Sequence, residues 1–140
     1  MHALSNKVTV IRKAHFCAAH RLINPNKSEE WNTQTYGLCS LPNYHGHNYE
    51  IEVAVSGTPN LETGMVIDLK LLATIIEDEI TSKCDHKNLN LDLPYFKDVI
   101  PSTENLAIFC WKQLCDKIPA GTLELIRIYE TPRNFVEFRG

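Results

Sequence analysis

A chain of 140 residues, 44% hydrophobic and 22% charged, suits one globular domain, 1–140, built round one core. A formal net charge of −3 without a dense basic stripe argues against a nucleic-acid surface, and no apolar run approaches the roughly 18 to 20 residues of a membrane helix. The opening "MHALSNKVTV" lacks a charged segment leading into an apolar one, so no secretory signal is expected, and five cysteines without a C-x-x-C pair read as reduced thiols of a cytoplasmic protein.

Residues 7–20, "KVTVIRKAHFCAAH", are rich in strand formers. Val8, Val10, Ala14, Phe16 and Ala18 alternate onto one face, which His20 ends. Residues 21–44 carry Pro25, Asn26, Gly37, Pro42 and Asn43 and read as a long loop, of a length that is usually functional or disordered. A second strand starts at His45, with His47, Tyr49, Ile51, Val53 and Val55 on its face and Asn48, Glu50 and Glu52 on the other. "SGTPN" (56–60) turns the chain, with a hairpin-like pairing to the first strand. Asp68 caps a helix through about residue 82, with Leu69, Leu72, Ile75, Ile76 and Ile80 at helical spacing. After a loop, Pro101-Ser102 opens a second helix whose buried stripe is Leu106, Ala107, Cys110, Trp111, Leu114 and Ile118. "PAG" (119–121) ends it, and strands at 122–130 and 134–139 follow, joined by "TPRN". The order ββααββ is α+β: a four-stranded antiparallel sheet with two helices on one face.

On a strand, residues two apart project to the same side, about 6.5 to 7 Å from each other. His45 and His47 therefore point together, and Gly46 lets another backbone approach. His20, ending the inward face of the first strand, is the candidate third imidazole. Three histidines with an open fourth position are a catalytic zinc arrangement; four protein ligands would make a structural one. Cys39 fits either, as the fourth ligand or as a free thiolate. Asp85 beside His86 can orient an imidazole for acid–base work, or be a solvated loop pair. Glu130, ending "LELIRIYE", can accept two parallel N–H bonds from a planar ring, or lie on the surface.

"FCAAHRL" (16–22), Cys39-x5-"HGHNY", "TGMVIDL" (63–69), "CDHKNLN" (84–90), "PSTENLA" (101–107) and "YET" (129–131) resemble the 6-pyruvoyl tetrahydropterin synthase family, in order and over nearly the whole chain. The resemblance implies the tunnelling fold. It implies a lyase that converts 7,8-dihydroneopterin triphosphate to 6-pyruvoyl-tetrahydropterin with loss of triphosphate, in tetrahydrobiopterin biosynthesis. It implies Zn2+ on His20, His45 and His47, Cys39 as catalytic base, and Asp85 with His86 as a proton relay. Glu130 would anchor the pterin, with Ser102, Thr103 and Glu104 at the ring's other edge. It also implies a homohexamer, a dimer of trimers with interface active sites. Leu38 stands where the family often has lysine, and "PSTEN" departs from its common threonine pair. The alternatives are 6-carboxy-tetrahydropterin synthase of queuosine biosynthesis, whose Cys-to-HGH spacing is more often three than the five found here, and a non-enzymatic zinc-stabilised module. A relative with glutamate in place of the cysteine makes a folate precursor, and Cys39 argues against it.

Overall fold

The computed structural model describes residues 6–140. The expectation about a secretory signal falls largely on residues 1–5, outside the described residues. Two long strands form the centre, β1 (Val8–His20) and β2 (His45–Gly57), antiparallel over their full length with His20 opposite His45 and Phe16 opposite Tyr49. The segment that joins them is 21–44; the 56–60 turn leads instead toward the next helix.

That joining segment is not a structureless loop. It contains α1 (Glu29–Tyr36), whose N-terminus is capped by Ser28 Oγ accepting from Trp31 N and carries Glu29 and Glu30 in its first turn. Gly37, at φ 59°, stops the helix, and a 3-10 turn (Gly37–Ser40) follows. Buried Asn32 ties the segment together: its amide donates to the carbonyls of Asn24 and Ser28 and accepts from Asn24 N.

α2 (Leu69–Ile76) starts at Asp68, whose carboxylate accepts from Lys70 N. It runs through a π turn (Glu77–Thr81) into α3 (Ser82–Cys84). Leu72, Ile76, Ile80 and Cys84 are buried, whereas Leu69 at the first turn is exposed. The sheet is five-stranded and mixed, not the four-stranded antiparallel sheet expected. Lys87–Asn88 (β3) pair in parallel with Ala18 and Ala19 before the short α4 (Leu89–Asp92). α5 (Thr103–Leu114) is capped by Ser102 and buries Leu106, Ala107, Phe109, Cys110 and Leu114. β4 (Thr122–Tyr129) and β5 (Phe135–Phe138) complete the order β3-β1-β2-β4-β5.

The core lies between one sheet face and α2, α3 and α5, with Phe16, Tyr49, Ile51, Val53, Ile126 and Ile128 from the sheet. The other face carries charge. Lys13 pairs with Glu50 at 3.3 Å, and Arg127 bridges Glu52 and Glu137. At the C-terminal end of β1 the apolar face gives way to His20, which is 1% exposed, so the core ends there on a buried polar side chain.

Candidate active site

The β1–β2 register brings three imidazoles together. His20 faces His45 directly, and His47 lies opposite Ala18. Their ligand atoms all fall within 4.8 Å of one another, with ring centroids 4.6 to 5.1 Å apart. His20 Nδ1 donates to the Pro101 carbonyl at 2.7 Å, an acceptor-only partner, so the proton sits on Nδ1 and Nε2 keeps its lone pair. Nε2 of His45 and of His47 is buried with no hydrogen-bond partner. Burial pushes the pKa values of His20 and His47 down, and the neighbouring rings add to it. Buried imidazole nitrogens without hydrogen-bond partners are the atoms through which histidines hold a divalent metal. Among the described residues no fourth His, Cys, Asp or Glu joins this group, so Cys39 is not part of it.

Beside this cluster stands Glu130, just after β4. Its Oε1 is 3.7 Å from His47 Nε2, and its Oε2 accepts from the Thr103 hydroxyl at 2.5 Å. Thr103 is buried at the start of α5. Ser102 commits its hydroxyl to capping that helix, accepting from Asn105 N. Thr103, exposed Glu104, Glu130, Arg133, Asn134 and Phe135 line a pocket of about 330 Å3.

Asp85 and His86 form their own unit along β1. Asp85 Oδ2 is 2.9 Å from His86 Nδ1, while Oδ1 accepts from Cys17 N. His86 N donates to the Cys17 carbonyl at 2.7 Å, and this clamp accompanies a φ of 61° at His86. The Cys17 N–H, and then His86, hold the Asp85 carboxyl below its ordinary range. The His86 side chain is 84% exposed and shares a groove with His47. Half-buried Cys39 sits in the 3-10 turn, its carbonyl accepting from Leu22 N at 2.8 Å. The structure thus joins His20, His45, His47, Glu130 and Thr103 directly, and lines one groove with His47 and His86.

Sequence reasoning misses two partners of the histidines. In the sequence Pro101 signals only a helix start and Tyr49 only a core position, yet the Pro101 carbonyl and the Tyr49 hydroxyl lie 2.7 Å and 3.3 Å from His20 Nδ1. It also misses Arg133 and Asn134 in the Glu130 pocket, although "TPRN" directly follows Glu130.

The model of the 6-pyruvoyl tetrahydropterin synthase family matches residues 9–140. The chain belongs to this family. The 6-pyruvoyl tetrahydrobiopterin synthase of Homo sapiens is 43% identical over 131 residues, 94% of this chain and 90% of that protein. The solved 6-pyruvoyl tetrahydropterin synthase of Caenorhabditis elegans superposes with a TM-score of 0.92 at 35% identity, covering 96% of each chain. A putative 6-carboxy-5,6,7,8-tetrahydropterin synthase of Archaeoglobus fulgidus is 33% identical over 95 residues, 68% of this chain and 75% of that protein. As a member of the 6-pyruvoyl tetrahydropterin synthase family the chain is a pterin lyase, and the carboxy alternative has the weaker support.

Proposed function

We propose that the chain converts 7,8-dihydroneopterin triphosphate to 6-pyruvoyl-tetrahydropterin, releasing triphosphate, with zinc held by His20, His45 and His47. The observation that carries this reading is the pair of buried, unpartnered Nε2 atoms of His45 and His47, facing a His20 whose Nδ1 is committed to Pro101. Zinc bound there would supply Lewis acidity toward the side-chain hydroxyls, making adjacent C–H protons easier to remove.

The chain's own residues do the rest. Glu130 accepts ring N–H groups; Thr103 uses one carboxylate lone pair and leaves acceptor capacity for the pterin. Ser102 holds the helix start that presents Thr103, and Glu104 lies at the pocket's exposed edge. Cys39, as thiolate, takes a proton from the substrate side chain. His86, oriented by Asp85, exchanges a proton with it on the other side. Holding the ring at Glu130 sets the reacting carbons against these groups. The side chain loses triphosphate and is rearranged by proton transfers alone, so no nicotinamide or flavin is needed.

Assembly into trimers and a homohexamer, with interface sites, belongs to the same proposal. Its support is twofold. Between residues 8 and 16 β1 is paired with a strand on one edge only, and β5 has no strand on its outer edge, among the described residues. His86, moreover, is turned outward, not closed into the histidine pocket. The five residues between Cys39 and His45 favour the pyruvoyl product over the carboxy one.

The test is Cys39→Ala. It should keep one zinc per chain and lose turnover of dihydroneopterin triphosphate. Loss of the metal along with activity would favour the closed, structural reading instead.

A further inference from the structure

Arg21 follows His20 and ties three segments of the site together. Its guanidinium donates twice to the Ser40 carbonyl, from Nε at 3.1 Å and Nη2 at 2.6 Å. Ser40 is buried and directly follows Cys39. The next residue, Leu22, donates its N–H to the Cys39 carbonyl, so the two peptide units that follow the thiol residue, 39–40 and 40–41, are held from the end of β1. The guanidinium also lies 5.9 Å from the centroid of Tyr44, the residue before His45. Arg21 itself is clamped: Asn90 Oδ1 accepts from its N–H at 2.9 Å, and Asn90 Nδ2 donates to its carbonyl at 3.0 Å. Asn90 lies in α4, five positions beyond Asp85 in sequence.

We propose that Arg21, seated by Asn90, is the positioning residue that holds the Cys39 turn at the rim of the histidine cluster. A planar fork is suited to this, because two rigidly linked donors converging on one carbonyl oxygen fix direction as well as distance, where one ammonium would swivel. Side-chain direction at position 38 agrees with the assignment. Leu38 is 80% exposed, so a side chain there points to solvent and cannot pin the turn. The thiol's place is therefore set by backbone carbonyls gripped from β1, and by a residue that also carries the first metal-ligand candidate on its N-terminal side. The assignment rests on the reading of Cys39 as the base.

Arg21→Lys, which keeps the charge and loses the fork, tests it on the zinc-loaded full chain, with Asn90→Ala as the second variant. For Arg21→Lys, bound zinc should stay at the wild-type ratio, KM should hold within about twofold, and kcat should fall by between about tenfold and a hundredfold. Hydrogen–deuterium exchange should quicken across residues 38–44 and leave residues 103–114 unchanged. Asn90→Ala should move the same amides and kcat in the same direction, and it decides the matter if Arg21→Lys does not fold. Wild-type kcat in the variants, or a fall in kcat with exchange at 38–44 unaltered, overturns the proposal. Should the wild-type protein not turn over the pterin, the proposed reaction fails, and the exchange result alone still decides whether Arg21 holds the Cys39 turn.

Discussion

His20 becomes a candidate metal ligand through its neighbours more than through its own chemistry. Burial disfavours the imidazolium, the Pro101 carbonyl takes the Nδ1 proton, and the lone pair left on Nε2 faces two rings whose own Nε2 atoms lack partners. Removing any one ring would leave two protein donors where a catalytic zinc site takes three. His45→Ala should therefore lose zinc and turnover together, read by metal analysis of the purified protein; stoichiometric zinc in that variant would refute the assignment. Glu130 depends on its neighbour in the same way. Thr103→Val keeps shape but removes the donor to Oε2, and should weaken pterin binding by about 1 to 2 kcal/mol while leaving the metal in place, measured by titration calorimetry. Unchanged affinity would mean that Thr103 does not orient the carboxylate. His45 and His47 are legible in the sequence because strand alternation needs no tertiary knowledge, and His20 is there only a candidate that the β1–β2 register brings to them. The partners of these rings are not legible. A backbone acceptor such as the Pro101 carbonyl has no side-chain signature and becomes a site component only when α5 docks on the sheet.

At the scale of elements, the strands and the two long helices follow from periodicity, and the misses come where periodicity is short or masked. β3 is two residues, too few to show alternation, yet it turns an antiparallel sheet into a mixed one. α1 hides behind Pro25, Asn26 and Gly37, although Ser28-Glu29-Glu30 carries a helix-start signature, an N-cap followed by acidic residues. The π turn at Glu77–Thr81 adds one residue to a single turn, a change the apolar spacing absorbs without breaking. The entry to β4 offers a sharp test of packing between elements. Gly121 has φ +73°, and a Cβ there would lie 2.7 Å from the Ser56 carbonyl oxygen and 2.8 Å from Val55 Cγ1, both on β2. Backbone on the central pair cannot yield as a flexible side chain does. Gly121→Ala should cost about 2 kcal/mol or more in urea unfolding; a loss within about 0.5 kcal/mol would show that β4 can shift without penalty.

Across the whole molecule, one sheet face is the core and the other is a field of paired charges. Asp85, Glu124 and Glu137 each have a carboxyl held below its ordinary value, by the Cys17 N–H, by the Ser56 hydroxyl and by Arg127 respectively as the leading cause. A carboxyl with a depressed folded pKa stabilises the fold above its unfolded value and loses that contribution as pH falls through the folded one. With reference values of 3.8 for the aspartate and 4.5 for the glutamates, stability should hold down to pH 4.5 and decline below it. Glu137→Gln should flatten that decline in an acid titration followed by circular dichroism; an unaltered slope would show that the Arg127 pair contributes nothing measurable.

The same architecture gives the site its place. The register of β1 on β2 gathers the histidines where the apolar core ends, β4 delivers Glu130 to them, and α5 supplies Thr103. Loaded with zinc, this assembly should form the pyruvoyl product. Incubating the pure protein with 7,8-dihydroneopterin triphosphate and zinc, then resolving the products by mass, decides whether it does. The expected outcome is 6-pyruvoyl-tetrahydropterin with released triphosphate; acetaldehyde with a carboxypterin, or recovery of unchanged substrate, would refute the assignment.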